Sequence, residues 1–258
     1  MSKIITVVMI GIIGGSGFYD FLENNEKIDV TTPFGEVTLE KGNIEGIKCF
    51  FIPRHGKSHS ILPSNINYRA NIYAAHKLNL EYVVATNAVG SLRDNIPIGT
   101  FAVPNQILDL TSGRHSTFFD GSDFKVTTRN NHHLSGVVHK DMSEPYANTV
   151  RNRLISACQK LSENVFDGGT MVVLNGPRFE TPAEINAYRI LGADFAGMTS
   201  APEAFLAREL EVPYATLAVV TNMAAGMQKE VTHEEVSELF AKRIDSLKLV
   251  LQSAIIQT

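Results

Sequence analysis

The stretch from Val7 to Asp20, VVMIGIIGGSGFYD, is an apolar run that breaks into four glycines and a serine between positions 11 and 17. A continuous apolar run with no polar alternation reads as a strand buried on both faces, the kind found in parallel sheets covered by helices. Its glycine-rich end exposes backbone N–H groups with no side chains in the way, which is how proteins cradle a phosphate or carboxylate. Two readings of the loop stay open, a plain strand-to-turn connection and an oxyanion site. Gly15 and Gly17 are followed by Phe18, Tyr19 and Asp20, so the third glycine of a dinucleotide fingerprint is missing, and so is the Gly-Lys-Ser/Thr ending of a Walker loop.

Outward from this run, further strand-length apolar segments occur at 47–52, 82–85, 100–103, 171–174 and 214–220, and the first itself spans 4–13. Helical patterns lie between them at 66–78, 149–161, 182–191 and 202–210, with a long last one at 232–256. Strand and helix alternate, which predicts an α/β fold with a helix-flanked sheet. The last helix repeats apolar residues at Val236, Phe240, Ile244, Leu247 and Leu251, expected to form one core-facing stripe of purely structural use. The segment 108–138, rich in Ser, Thr, Gly, His and Asn, reads as a long, partly functional loop. No repeat or linker-like change of composition divides the chain, and 258 residues are expected to form one domain, 1–258.

Composition narrows the classes of function. With 23 Lys and Arg against 27 Asp and Glu, scattered along the chain, the formal charge is −4. That balance argues against nucleic acid or an anionic membrane surface as partner and favours a small molecule. The two cysteines, Cys49 and Cys158, form no C-x-x-C pair or zinc spacing, so neither a disulfide framework nor a metal is expected. The start MSKIITVVMIGIIGG has a signal-peptide flavour but lacks a small-x-small cleavage pattern, and no run approaches the length of a membrane span. A cytoplasmic protein is expected.

Three segments, Thr181–Glu184, Ser200–Glu203 and Thr232–Glu235, match the S/T-x-x-E capping box and mark junctions where strands give way to helices. In open parallel sheets ligands bind at such ends. Three polar clusters lie there: PRHGKSH at 53–59, TNAVGS at 86–91 and GMTSAPE at 197–203. Arg54 offers a fork of donors suited to an oxyanion, and His55 and His59 add to it. Thr199 and Ser200 stand before a helix N-terminus, where hydroxyls, N–H groups and dipole favour an anion, although either is also a plain N-cap by type. With Ser16 these residues make a phosphate pocket if the loops converge.

Five stretches now become recognisable: GIIGGSGFYD, RHGKSHSILPSNINYRANIYA, TNAVGSLRDNIPIGTFAVPNQILDLTSGR, NGPRFETPAEI and GMTSAPEAFLARELEVPYATLAVVTN. In this order they closely resemble the trimeric purine nucleoside phosphorylase and methylthioadenosine phosphorylase family over nearly the whole chain. The resemblance implies a mixed β-sheet core with flanking helices and a homotrimer, with pairing of trimers into hexamers left open. It implies reversible phosphorolysis of a purine nucleoside to base and pentose 1-phosphate, with inorganic phosphate as co-substrate and no cofactor. Phosphate would be held by Ser16, Arg54, His55, Asn87, Ala88 and Thr199, with Met198 against the ribose and Phe179 against the base.

The family divides on the base. Methylthioadenosine phosphorylases carry an Asp-x-Asp pair where this chain has Asn222 and Ala224. An asparagine amide can donate to a 6-oxo oxygen, which an ionised carboxylate cannot. Glu180, in RFET, matches the glutamate with which 6-oxopurine phosphorylases accept the N1 proton. Inosine or guanosine is therefore the expected substrate, with Asn222, Arg54 and His55 carrying the catalysis. His233 matches a histidine aimed at the 5′-hydroxyl, and His139 one that reaches the neighbouring subunit's site. Methylthioinosine is the alternative substrate, TSGRHSTFF and TNMAAG being similar to that branch. A nucleosidase using water and a silent nucleoside-binding protein are the remaining alternatives.

Overall fold

The structure is a computed structural model that describes residues 8–15, 21–56 and 60–257. Its strands are β1 (Met9–Gly14), β2 (Glu23–Thr32), β3 (Gly35–Ile44), β4 (Ile47–Pro53), β5 (Tyr82–Ser91), β6 (Phe101–Val103), β7 (Gln106–Asp109), β8 (Lys125–Thr127), β9 (His133–Ser135), β10 (Val165–Asp167), β11 (Thr170–Val173), β12 (Phe195–Gly197) and β13 (Tyr214–Met223). The helices are α1 (Tyr68–Lys77), α2 (Asn148–Lys160), α3 (Pro182–Ile190), α4 (Ser200–Glu209) and α5 (His233–Ile256). An α/β fold with a mixed sheet flanked by helices is the result.

The main sheet runs β10-β6-β13-β5-β1-β4-β3-β2, with β12 on the far half of β5 and β11 and β7 beyond it. Its centre, β13, β5, β1 and β4, is parallel. Successive side chains of a strand point to opposite faces, and the centre uses this to fill two cores. Tyr82 and Val84 join Ile10 and Ile12 against Leu154 of α2 and Leu247 and Leu251 of α5. Val83 and Ala85 join Ile13 and Ile52 against Ile72 of α1 and Leu206 of α4.

Several elements differ from the expected ones. The run at 82–85 continues to Ser91 and that at 214–220 to Met223, so the TNAVGS cluster and Asn222 sit on strands. Pairing with long neighbours keeps these polar residues extended: β5 and β13 stay paired as far as Ser91 and Met223, with one irregularity between Val220 and Asn222. The only hydrophobic side chains that the β2–β3 hairpin buries are Val30, Val37, Leu39 and Ile44, set among charged and exposed residues, and it therefore carries little continuous apolar signal. The segment 108–138 contains the β8–β9 hairpin. The first strand's early part, 4–7, lies outside the described residues.

Of the three capping boxes, Thr181–Glu184 is complete, and Thr232 caps with its hydroxyl on Glu235 N–H. The third is not a cap. Ser200 is already helical, and its Oγ lies 2.7 Å from Tyr146 Oη and 3.1 Å from Thr216 Oγ1. Glu203 turns away to Arg54. Burial decides this: Ser200 and Glu203 are fully enclosed, so their polar atoms take partners in the core instead of backbone N–H groups at a wet helix end.

Candidate functional site

One cavity of about 620 Å³ opens where the carboxyl ends of β1, β4, β5, β12 and β13 meet α5. Its floor is Thr86, Asn87, Ala88, Val89 and Gly90 of β5 with Thr221 and Asn222 of β13. Ala88 is the single exposed position in β5, because it faces the open cavity between buried neighbours.

At one end stand Arg54, His55, Gly15 and Thr199. Arg54 follows β4, its backbone N–H bonded to Gly14 O at 2.9 Å, and is only 3 % exposed. Its Nε and Nη2 donate to the two carboxylate oxygens of Glu203 at 2.5 and 3.0 Å, and Nη1 donates to Thr86 O at 2.9 Å. Burial opposes the guanidinium's charge, but the charge and hydrogen bonds of Glu203 more than offset it and raise the Arg54 pKa. His55 Nδ1 lies 2.8 Å from Ile61 O, an acceptor only, so that nitrogen carries the proton. Asn87 Nδ2 donates to Thr199 Oγ1 at 2.7 Å. Asn87 Oδ1 and Thr86 Oγ1 are buried with no partner among the described residues, a costly state that a polar ligand relieves.

Asn222 stands further along, beside Gly90 of β5, and Phe179, Glu180 and Met198 line the same cavity. The segment before α3 is cinched by the Thr181 cap and by Arg178, whose guanidinium grips Glu184 at 2.7 and 2.8 Å. With the cap's bond added, the Glu184 carboxyl is drawn down to about 2. Glu180 is left facing the cavity, where burial, then repulsion from Glu184, pushes its carboxyl above the usual range. Asn222 follows a register slip between Val220 and itself that leaves Thr221 as an extra residue in β13. Such a bulge re-aims the next side chain. The Asn222 amide rests on Met223 O at 2.9 Å and over Gly90, where an added Cβ would come within 3.0 Å of Nδ2. A side chain at Gly90 would therefore press on the Asn222 amide, so this glycine answers to close approach and not to turn geometry.

Of the remaining sequence-derived residues, His233 lines the cavity from the first turn of α5. Ala224 does not line it; it is buried against Leu92, Val172 and Ile185. His139 is exposed in the irregular segment between β9 and α2, away from this cavity. Ser16 and His59 lie outside the described residues. The α5 stripe is not purely structural. Leu247 and Leu251 are core, whereas Val236, Phe240 and Ile244 also line the cavity, because a 24-residue helix of about 36 Å outreaches the sheet it packs on.

Two residues escaped sequence reasoning. Glu203 was hidden by its match to a capping box. Arg114 lay in an unassigned loop; its Nη1 donates to Met198 O at 2.5 Å, and its Nη2 donates to Leu174 O and Asn175 O at 3.2 and 2.8 Å, tying the ends of β11 and β12 together.

A mixed sheet whose strand ends gather buried donors and a carboxylate around one cavity defines an α/β protein built to hold a small polar ligand. The chain belongs to the phosphorylase superfamily, which it matches over residues 9–256. It is 49% identical to the 6-oxopurine nucleoside phosphorylase of Pyrococcus furiosus over 94% of this chain and 90% of that protein. It is 41% identical to a probable S-methyl-5′-thioinosine phosphorylase of Thermodesulfovibrio yellowstonii over 96% and 90%. Among solved structures, methylthioadenosine phosphorylase from Schistosoma mansoni in complex with adenine superposes with a TM-score of 0.88 at 36% identity, covering 97% of this chain and 91% of that one.

Proposed function

We propose that the chain catalyses phosphorolysis of 6-oxopurine nucleosides, inosine and guanosine, to the free base and ribose 1-phosphate. The observation that carries this reading is one cavity lined by Arg54, Asn87 and Thr199 together with Glu180 and Asn222. Its 620 Å³ lies within the roughly 300–1,000 Å³ typical of small-ligand sites. The identity to proteins named for this activity supports it.

In this reading inorganic phosphate is the nucleophile and the only co-substrate, and no cofactor takes part. One phosphate oxygen bonds to the anomeric carbon as the glycosidic C–N bond breaks and its electron pair passes to the purine. Positive charge grows on the sugar beside the phosphate, and negative charge grows on the base beside donors, so position and fixed dipoles supply the rate. Arg54, His55, Asn87, Ala88 and Thr199, with Ser16, hold phosphate. Met198 backs the ribose and Phe179 the ring; Glu180 accepts from N1–H, and Asn222 donates to the 6-oxo oxygen or N7. The protein is read as one cytoplasmic domain assembled as a homotrimer, His139 completing a neighbour's pocket. Among the described residues no helix is long and apolar enough to cross a membrane.

A second reading has an observation of its own. Val236, Phe240 and Ile244 give the cavity an apolar wall beyond His233, the kind of surface a 5′-methylthio group prefers to a hydroxyl. Product analysis with inosine, guanosine, adenosine, methylthioadenosine and methylthioinosine, each with and without phosphate, separates the readings. Equal base release without phosphate would overturn phosphorolysis; a tenfold preference for methylthioinosine over inosine would install the second substrate.

A further inference from the structure

Glu203 is fully buried one turn into α4, and every partner it has belongs to a single polar chain through the protein. Its two oxygens take Nε–H and one Nη2–H of Arg54, and Oε2 also accepts from Tyr214 Oη at 2.7 Å. Tyr214 Oη reaches Thr216 Oγ1 at 3.2 Å, which continues to Ser200 Oγ and Tyr146 Oη. A guanidinium has five N–H groups in a rigid plane. Glu203 takes two and Thr86 O a third, so one N–H on each terminal nitrogen remains without an acceptor among the described residues.

We propose that Glu203 is a positioning residue for the reaction: it turns Arg54 so that its remaining terminal N–H groups face the cavity, and it cancels the guanidinium's net charge there. Held alone in a buried site, an arginine would bind any oxyanion tightly by charge, the product's phosphate group included. Paired with Glu203, it binds by directed hydrogen bonds, which discriminate by geometry more than by charge. Tyr214 gives the carboxylate a third donor, and the hydroxyls behind Tyr214 hold that phenol in place.

The inference rests on phosphate binding at Arg54, and the test keeps the two apart. Wild-type protein is first assayed with and without phosphate; turnover without it would overturn the proposed function whatever Glu203 does. Glu203→Gln and Glu203→Asp are then compared by KM for phosphate, kcat, and inhibition by sulfate, with circular dichroism as the check on folding. Glu203→Gln removes the cancelling charge at almost constant shape. Its KM for phosphate and its inhibition constant for sulfate should both fall, while kcat drops on the order of 100-fold as the misplaced fork loses its attack geometry. Glu203→Asp keeps the charge but shortens the reach, so kcat should fall without tighter phosphate or sulfate binding. Equal losses in both variants with wild-type KM values, tracking the folded fraction, would reduce Glu203 to a structural ion pair and overturn the proposal. Should Glu203→Gln not fold, full wild-type kcat in Glu203→Asp overturns it, and loss of kcat in a folded Glu203→Asp at unchanged sulfate affinity upholds it.

Discussion

Asn87 and Thr199 are 112 positions apart, yet the amide of the first donates to the hydroxyl of the second at 2.7 Å, joining β5 to the start of α4. Because the Thr199 oxygen already accepts from Asn87, its own proton is directed elsewhere, and the cavity is the space beside it. Thr199→Val, which keeps the shape and deletes the hydroxyl, should raise KM for phosphate and leave KM for inosine nearly unchanged. A hydrogen bond to a charged group is worth about 1.5–3 kcal/mol, so roughly 10-fold to 150-fold is expected. Steady-state kinetics with each substrate varied in turn checks it; a change confined to inosine refutes the assignment.

Arg54→Ala should affect activity and stability together. Losing the contact to the nucleophile should cost about 2–4 kcal/mol of transition-state stabilisation, roughly 30-fold to 1,000-fold in rate. It also leaves Glu203 charged and fully buried without its partner, and breaking such a pair destabilises by about 3–5 kcal/mol. Denaturant melts beside the kinetics separate the two losses.

For Asn222→Asp, the structure adds a cost to the change of base preference. A carboxylate there would set an acceptor against Met223 O, where the amide now donates at 2.9 Å. Inosine cleavage should fall, with the ratio of kcat/KM for inosine over adenosine shifting toward adenosine, incompletely because Glu180 remains. An unchanged ratio would show that Asn222 does not read the base.

These outcomes bear on what was readable in advance. The α/β alternation and five helices stood in the apolar pattern because α1, α2 and α5 each bury one face on the sheet, while α4 is enclosed on nearly all sides. The hairpin of β2 and β3 did not, since its few core residues, Val30, Val37, Leu39 and Ile44, are scattered among charged and exposed ones. Arg54, Glu180 and Asn222 were legible by residue type and motif, and the structure lines one cavity with all three. Glu203 was illegible because its partner is 149 positions away, and a local pattern accounted for it first. Val236 and Ile244 were misassigned for another reason: periodicity reports which face of a helix is apolar, not whether that face meets a core or a cavity.

Glu180 gives the site a pH dependence of known sign. Burial first, and the charge of Glu184 second, lift its pKa above the unfolded value near 4.5. The folded protein therefore holds this proton more tightly than the unfolded chain. The group's contribution favours folding below the unfolded pKa and is lost as pH rises through the folded one. Glu180→Gln should accordingly match the wild type at low pH and exceed it in stability at neutral pH. In catalysis the sign reverses: the ionised carboxylate accepts N1–H, so KM for inosine should climb as pH falls through the raised pKa, and the Gln variant should lose that step. Parallel pH series of denaturant melts and of KM check both halves.

His233 opens α5 at the cavity rim, its Nε2 3.4 Å from Ser237 Oγ, with the apolar wall of Val236 and Phe240 beside it. If the histidine bonds the 5′-hydroxyl, inosine should be used better than methylthioinosine, and His233→Met should narrow or reverse the preference. One hydrogen bond of about 0.5–1.5 kcal/mol makes this a few-fold to roughly tenfold effect. A competition assay with both nucleosides reads it directly.

The two halves of the cavity are anchored differently. Its floor is the continuation of β5 and β13, strands whose earlier residues are buried throughout, whereas the walls formed by Phe179, Glu180 and His233 hang from the segment before α3 and from the outer turns of α5, both half-exposed. Local opening is cheapest where burial is thinnest. On the proposed reading, warming the protein should loosen the walls assigned to the nucleoside while the Arg54 corner still stands, so that selectivity fades at a lower temperature than phosphate binding does.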